Sequence, residues 1–195
     1  MNKQSKIERC PWCGNDPTYI HYHDTEWGVP VFDDQKLFEF LILEGAQAGL
    51  SWITILKRRD GYRKAFAEFN AEKVARFTPK RVEKLLSNPE IIRNRLKVEA
   101  AITNAQIFLN LQEEFGSFSD YSWRFVDNKP ILNKWKNLSE LPATSKKSDA
   151  FSADLKKRGM KFVGSTIIYA HMQATGMVND HLVSCFRYQE CLPAH

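Results

Sequence analysis

The chain has 195 residues, 43% of them hydrophobic and 26% charged, a balance that excludes disorder or a fibre and suits one folded unit with a sizeable core. Its 28 basic and 23 acidic side chains leave a net charge of +5, which permits contact with a polyanion without requiring one. No apolar run approaches the ~20 residues that span a bilayer, and Met1 to Arg9 is polar with no apolar signal segment, so the expectation is a cytoplasmic protein without membrane contact.

The long middle of the chain reads as helix after helix. Asp33-Asp34 caps a helix predicted over about residues 35–48. Asp60 precedes a helix over 62–69, and Asn70 one over 71–77. Thr78-Pro79 opens a helix over 81–86, with proline in the first turn, where its missing N–H has no helical partner to lose. Asn88-Pro89 restarts the chain. Residues 93–115 form a long amphipathic stretch, with Leu96, Ala100, Ile107 and Leu111 spaced near multiples of 3.6 and Gly116 as its stop. Pro130, Pro142 and several polar residues mark 128–144 as a connection or lobe crossing. Helices are predicted again over 145–158 and 164–175. Strand alternation is almost absent, so the fold class is all-α.

Three groups of residues carry chemistry. The 4 cysteines sit at the two ends, Cys10 and Cys13 early, Cys185 and Cys191 late; without an export signal, thiols or metal ligands are favoured over disulfides. His21 and His23 follow the first pair. His181 and Cys185 stand four apart, which on a helix places both on one face. One thiolate and one imidazole from each end complete a Cys2His2 tetrahedron suited to zinc. The alternative is that Cys13 and Cys191 are merely small residues and His21 is solvated. Four protein ligands close the coordination sphere, so the metal would be structural and would pin one chain end to the other.

The second group is a carboxylate in an apolar stripe. Glu44 is i+7 from Leu37, i+3 from Leu41 and i−4 from Ala48, on the face expected to be buried, while Glu39 falls elsewhere. A buried carboxylate needs a partner or a raised pKa, which makes it a site candidate. The alternative is a glutamate near a helix end that reaches solvent or bonds a backbone amide. Trp52 follows closely enough to share a pocket with Glu44. The third group is the basic turn from Leu155 to Thr166, where Gly159 ends one helix and a short apolar turn leads to another at Ser165. Free amides at that start, with Lys and Arg nearby, form an anion site able to hold a nucleic-acid phosphate without reading sequence. An ordinary helix hairpin with solvated basic residues gives the same pattern.

Asp16-Pro17-Thr18-Tyr19, the run from Tyr22 to Pro30, the run from Leu43 to Trp52, Ile91 to Arg95, Leu155 to Gly164 and Val178-Asn179-Asp180-His181 together resemble the 3-methyladenine DNA glycosylase I family. The likeness extends from about Arg9 to Cys185, and the block holding Glu44 and Trp52 is its specific part. The resemblance implies an all-α, helix-hairpin-helix glycosylase-like bundle in two lobes with the chain ends tied by zinc. It reads the chain as a single glycosylase domain over 1–195, with a helical core at about 33–127. Both termini, the hairpin at about 145–176 and the zinc site would form the second lobe.

The implied activity is DNA repair: flipping 3-methyladenine out of alkylated double-stranded DNA and hydrolysing its N-glycosyl bond, without strand cleavage, by a monomer that releases the free base. The implied ligands of one structural Zn2+ are Cys10, His23, His181 and Cys185. Glu44 falls at the base-contacting carboxylate; Tyr22, Trp12, Trp52 and Trp27 fall at substrate-binding positions; Lys161, Gly164 and Ser165 would bind DNA.

Two departures accompany the likeness. Where the wider superfamily carries an aspartate after the hairpin, Asn179 fills the slot; Asp180, offset by one, is not expected to be catalytic. The hairpin reads Phe162-Val163-Gly164 instead of Gly-x-Gly, so only Gly164 carries over, and Cys13 could compete with Cys10 as a ligand. A non-enzymatic zinc-dependent DNA-binding module would explain the end clusters, hairpin and charge, but not a carboxylate beside tryptophans in an apolar stripe. A zinc hydrolase would need an open coordination position, which four ligands deny.

Overall fold

The structure is a computed structural model describing residues 7–192; the first six residues of the polar Met1 to Arg9 stretch lie outside the described residues. Those described are mostly helical. In chain order the helices are α1 (Pro17–Thr25), α2 (Asp34–Gln47), α3 (Trp52–Leu56), α4 (Arg59–Ala65), α5 (Ala71–Ala75), α6 (Pro79–Leu86), α7 (Arg95–Phe115), α8 (Phe118–Trp123), α9 (Lys146–Lys157), α10 (Ser165–Ala174) and α11 (Phe186–Glu190). Two short strands, β1 (Ile131–Leu132) and β2 (Val178–Asn179), pair in parallel with Ile131 opposite Val178. Among the described residues no helix is long and apolar enough to cross a membrane.

Capping chemistry sets most helix starts. Asp33, Asn70, Thr78, Asn94, Ser117 and Ser145 each accept a backbone N–H from the first turn that follows, satisfying a donor with no helical partner. Asp16 does the same for α1, with Pro17 at its first position. From Leu37 to Glu44 α2 is buried on every side, with Leu37, Phe38, Phe40, Leu41, Ile42 and Leu43 all in the core. α3, α4, α7, α8 and α10 pack around it. The main core continues through Phe108, Phe118, Tyr121, Phe151, Leu155, Ile168 and Met172. A smaller cluster of Cys10, Tyr22, Trp27, Phe40, Leu56, Leu182 and Cys185 forms where the two chain ends meet.

Three sequence expectations change. Glu39 is buried like Glu44, because α2 is surrounded on every side from Leu37 to Glu44; Arg59 and Lys36 neutralise it at 2.7 and 3.2 Å. Leu96 is 69% exposed, and the buried face of α7 runs through Val98, Ala101, Ala105, Phe108 and Leu111. The helix expected over 62–69 starts at Arg59 and stops at Ala65, since Ala67, Glu68 and Phe69 all take positive φ, a left-handed turn that buries both Phe66 and Phe69. Asp60 accordingly lies inside that helix rather than capping it. After Asn88-Pro89 no helix begins until Arg95.

Candidate functional site

A cavity of about 190 Å³ opens beside the C-terminal half of α2. Glu44 and Gln47 of α2, Tyr19 and Tyr22 of α1, Trp52 at the start of α3 and Gln173 of α10 line it. Trp12, from a single 3-10 turn ahead of α1, and Trp27, from the loop after α1, complete an aromatic wall. Trp12 stands edge-on to Trp27 with ring centroids 4.8 Å apart and lies 5.0 Å from Tyr19; Tyr22 and Trp52 are 5.7 Å apart. Every substrate-binding residue expected from the sequence therefore borders one cavity with Glu44.

Glu44 is only 3% exposed. His171 of α10 donates from Nδ1 to its Oε2 at 2.8 Å, while Oε1 is buried with no partner. The indole N–H groups of Trp12 and Trp52 are also buried without acceptors. Buried polar groups are nearly always paired, so one acceptor and two donors left open around one cavity point to a ligand that supplies the partners. Burial pushes the Glu44 carboxyl up, and the charge and hydrogen bond of His171 oppose that rise. Burial first, then the charges of Glu44 and Glu26, hold the Tyr22 hydroxyl well above its ordinary range, so it stays protonated as donor and acceptor. The site can thus hold a flat ring on aromatic faces and meet its polar edge with a carboxylate.

The second centre lies directly behind the aromatic wall. Cys10, His23, His181 and Cys185 are all buried, and their ligand atoms lie within 4.8 Å of one another. His23 Nε2 is 3.4 Å from Cys185 Sγ, and His181 Nδ1 is 3.6 Å from the sulfurs of both Cys10 and Cys185. The opposite ring nitrogens are already engaged: His23 Nδ1 with Asp24 Oδ1 at 2.7 Å, His181 Nε2 with the Trp27 carbonyl at 3.0 Å. Outer acceptors of this kind orient the rings of metal-binding histidines, so the four residues form a cluster able to hold a metal ion. The Cys185 thiol is held far below its ordinary range, first by the hydrogen bond from the Cys10 thiol and further by His181 and His23. Cys13 is outside the cluster, its thiol donating to the Cys10 carbonyl at 3.1 Å, and His21 is exposed. Gly28 has φ +81, and a side chain there would press within 3.0 Å of the His181 ring.

The basic turn between α9 and α10 packs near the same face, with a Cβ at Gly45 of α2 falling 3.5 Å from Phe162. Asn104 of α7 fixes the turn, accepting from the Lys161 N–H and donating to the Lys161 carbonyl, both at 2.8 Å; the Lys161 residue is exposed. Gly164 precedes α10, and a Cβ built there meets nothing within 4 Å. The Ser165 hydroxyl is engaged inside the protein, donating to Asp149 at 2.6 Å and lying 2.9 Å from the Ser148 hydroxyl, so only its backbone remains for a ligand.

Asn179 is buried and structural, donating to the Tyr188 carbonyl and accepting from the His181 N–H. Asp180 accepts four hydrogen bonds, from Asn133, Trp135, Tyr169 and Gln173. That leaves neither residue placed to handle a substrate proton. Sequence reasoning missed Tyr19, Gln47, Gln173 and His171. The last was legible in part, since His171 shares a helix face with Ile168, Met172 and Thr175.

An aromatic cavity with a buried carboxylate, beside a four-ligand cluster and a basic helical turn, suits the capture of a flat base. A family model described as methyladenine glycosylase matches residues 12–188. The chain is 50% identical over 182 residues to the DNA-3-methyladenine glycosylase 1 of Escherichia coli (strain K12), covering 93% of this chain and 97% of that one. A crystal structure of 3-methyladenine DNA glycosylase I superposes with a TM-score of 0.90 at 50% identity, covering 92% of this chain and 98% of the other. The Staphylococcus aureus 3-methyladenine DNA glycosylase I, solved for its recognition of 3-methyladenine, also gives 0.90, at 36% identity over 97% of this chain and 98% of its own. The chain belongs to the methyladenine glycosylase family.

Proposed function

We propose that this chain excises 3-methyladenine from alkylated double-stranded DNA by hydrolysing its N-glycosyl bond. The observation that carries the reading is Glu44: a buried carboxylate with one oxygen unpartnered, bordering an aromatic cavity. Methylation at N3 gives the base a formal positive charge and makes it a good leaving group. The enzyme then needs less acid catalysis than selective capture of a cation. Glu44 pairs with that cation, Tyr22 adds a hydroxyl contact, and Trp12, Trp27 and Trp52 supply faces that attract a cation by about 0.5–2 kcal/mol. The base must leave the stack, at a few kcal/mol, and damage lowers that cost.

Lys161, with the backbone at Gly164 and Ser165, holds a DNA phosphate while the base enters. One structural zinc ion, on Cys10, His23, His181 and Cys185, ties the chain ends in a helix-hairpin-helix glycosylase architecture; it supplies rigidity and no step of the reaction. Water attacks the sugar carbon. Among the described residues no lysine lines the cavity, so no amine is placed to form a covalent link with the sugar, and the expected product is an intact strand with an abasic site. All the groups named lie in one chain, so a monomer suffices, and the expected place of work is the cytoplasm. Chromatography of bases released from alkylated DNA tests the reading. Free 3-methyladenine without strand breaks is expected; no released base, or strand breaks in step with release, would overturn it.

A further inference from the structure

Glu44 is held from behind by a residue that the capture of the base has not yet used. His171 has a fully buried ring, and it touches Glu44 without lining the cavity. The Phe151 ring stands 6.4 Å from it, edge-on, so the imidazole is packed in place. A carboxylate only accepts, so the shared proton sits on Nδ1. Nε2 is buried and has no partner.

The terminal torsion of a glutamate is broad and does not orient the carboxylate by itself. The 2.8 Å bond from His171 occupies Oε2 and leaves Oε1 as the oxygen toward the ligand. The titratable groups facing Glu44 are His171 from α10 and Tyr22 from α1. Of these, His171 opposes the loss of the carboxylate charge that burial favours.

We propose that His171 is a positioning residue for base capture, its Nδ1–H keeping Glu44 turned and accepting so that Oε1 meets the cationic base. The inference rests on Glu44 being the base-contacting carboxylate. A double-mutant cycle with free 3-methyladenine binding and base release as readouts tests it. His171→Phe is expected to weaken base binding about 10-fold or more, the scale of a hydrogen bond to a charged group. It is also expected to move the acid limb of the activity–pH profile to higher pH, because Glu44 then ionises later. His171→Asn, whose side-chain N–H can replace Nδ1–H, should recover part of the loss, and binding of undamaged duplex should not change. In a Glu44→Gln background, His171→Phe should add nothing.

Equal losses in both backgrounds, or wild-type base binding in folded His171→Phe, would overturn the positioning role. If Glu44→Gln itself leaves base binding unchanged, the reading of Glu44 fails first, and the positioning role with it. A readout on the unaltered protein covers the case where His171→Phe does not fold. Nitrogen-15 NMR should show His171 protonated at Nδ1, with a signal that shifts on adding 3-methyladenine. A proton on Nε2 with none on Nδ1, or a signal indifferent to the base, would overturn the proposal.

Discussion

Glu44 and glutamine have nearly the same shape, so exchanging them isolates charge from packing. Glu44→Gln is expected to keep the fold and weaken free 3-methyladenine binding by roughly 10- to 150-fold, the 1.5–3 kcal/mol of a hydrogen bond with a charged partner. Undamaged DNA brings no cation into the cavity, so its affinity should stay constant. Trp52→Ala should lose about 1–3 kcal/mol of base affinity through stacking alone. Titration followed by tryptophan fluorescence measures both, and unchanged affinity in folded Glu44→Gln would leave that carboxylate purely structural. Glu44 was legible in the sequence because helical spacing put it among apolar residues. The same logic misplaced Glu39, since a helix surrounded on all sides has no outer face to which a charge can be assigned; Arg59 makes that burial tolerable. The helix face of His171 hinted at its burial, but its pairing with Glu44 was not legible: the two are 127 residues apart, and only the packing of α10 on α2 brings them together.

The turn between α9 and α10 separates folding from binding unusually well. Gly164 has φ −60, and a Cβ there would meet no atom within 4 Å, so Gly164→Val should still fold, at the modest cost of a poorer N-cap for α10. Loss of DNA affinity in that variant then reports a backbone that the duplex approaches closely. Lys161→Ala should weaken damaged and undamaged duplexes alike and lower the salt dependence of binding by about one phosphate contact, because phosphates carry no base information. A variant that lost selectivity alone would contradict this. A second element-scale device joins α2 and α4 to the residue after α1: Arg59 donates to Glu26 at 2.7 and 2.8 Å and to Glu39 at 2.7 Å. Burial works to raise the Glu26 carboxyl, but Arg59 and Lys36 bring it down to about 2 from an ordinary 4.5. A carboxyl lowered in the folded state stabilises above its unfolded value and loses that contribution as pH falls, here between about 4.5 and 2. The linkage amounts to about 3 kcal/mol, so urea midpoints should drop across that window, and Glu26→Gln should flatten the drop. Helices with caps and clear period were readable in advance. α1 carried its own Asp16-Pro17 start signal but is short, and α3, α8 and α11 have only five or six residues, too few for a period to show. The strand pair was hidden for another reason, since two-residue strands from 131 and 178 are defined only by each other.

The N-terminal segment contributes both to the cavity wall and to the four-ligand cluster, which makes the cluster more than a tether. Trp12 lies between two cluster residues in sequence, Cys10 and His23; Tyr22 precedes His23 directly; and the Trp27 carbonyl accepts from His181. Without the cluster, the 3-10 turn and α1 are anchored chiefly by the small second core and by Arg9 on Asp24 at 2.7–2.9 Å. If zinc occupies the cluster, its binding free energy becomes folding free energy of this region. Cys185→Ser, or exhaustive chelation, is then expected to lower thermal stability; a loss of about 3 kcal/mol shifts Tm by roughly 6–12 °C at this chain length. Base affinity should fall in the same samples, because Trp12, Tyr22 and Trp27 lose their fixed positions. DNA affinity through the Lys161 turn should fall less, since Asn104 of α7 holds that turn from the main core. Cys13→Ser should leave metal content unchanged, because its thiol points to the Cys10 carbonyl and not to the cluster. Metal analysis, calorimetry and base titration on the same preparations check the chain of cause. A protein demonstrably free of zinc, yet melting and binding 3-methyladenine as before, would show that the protein contacts alone hold the ends together.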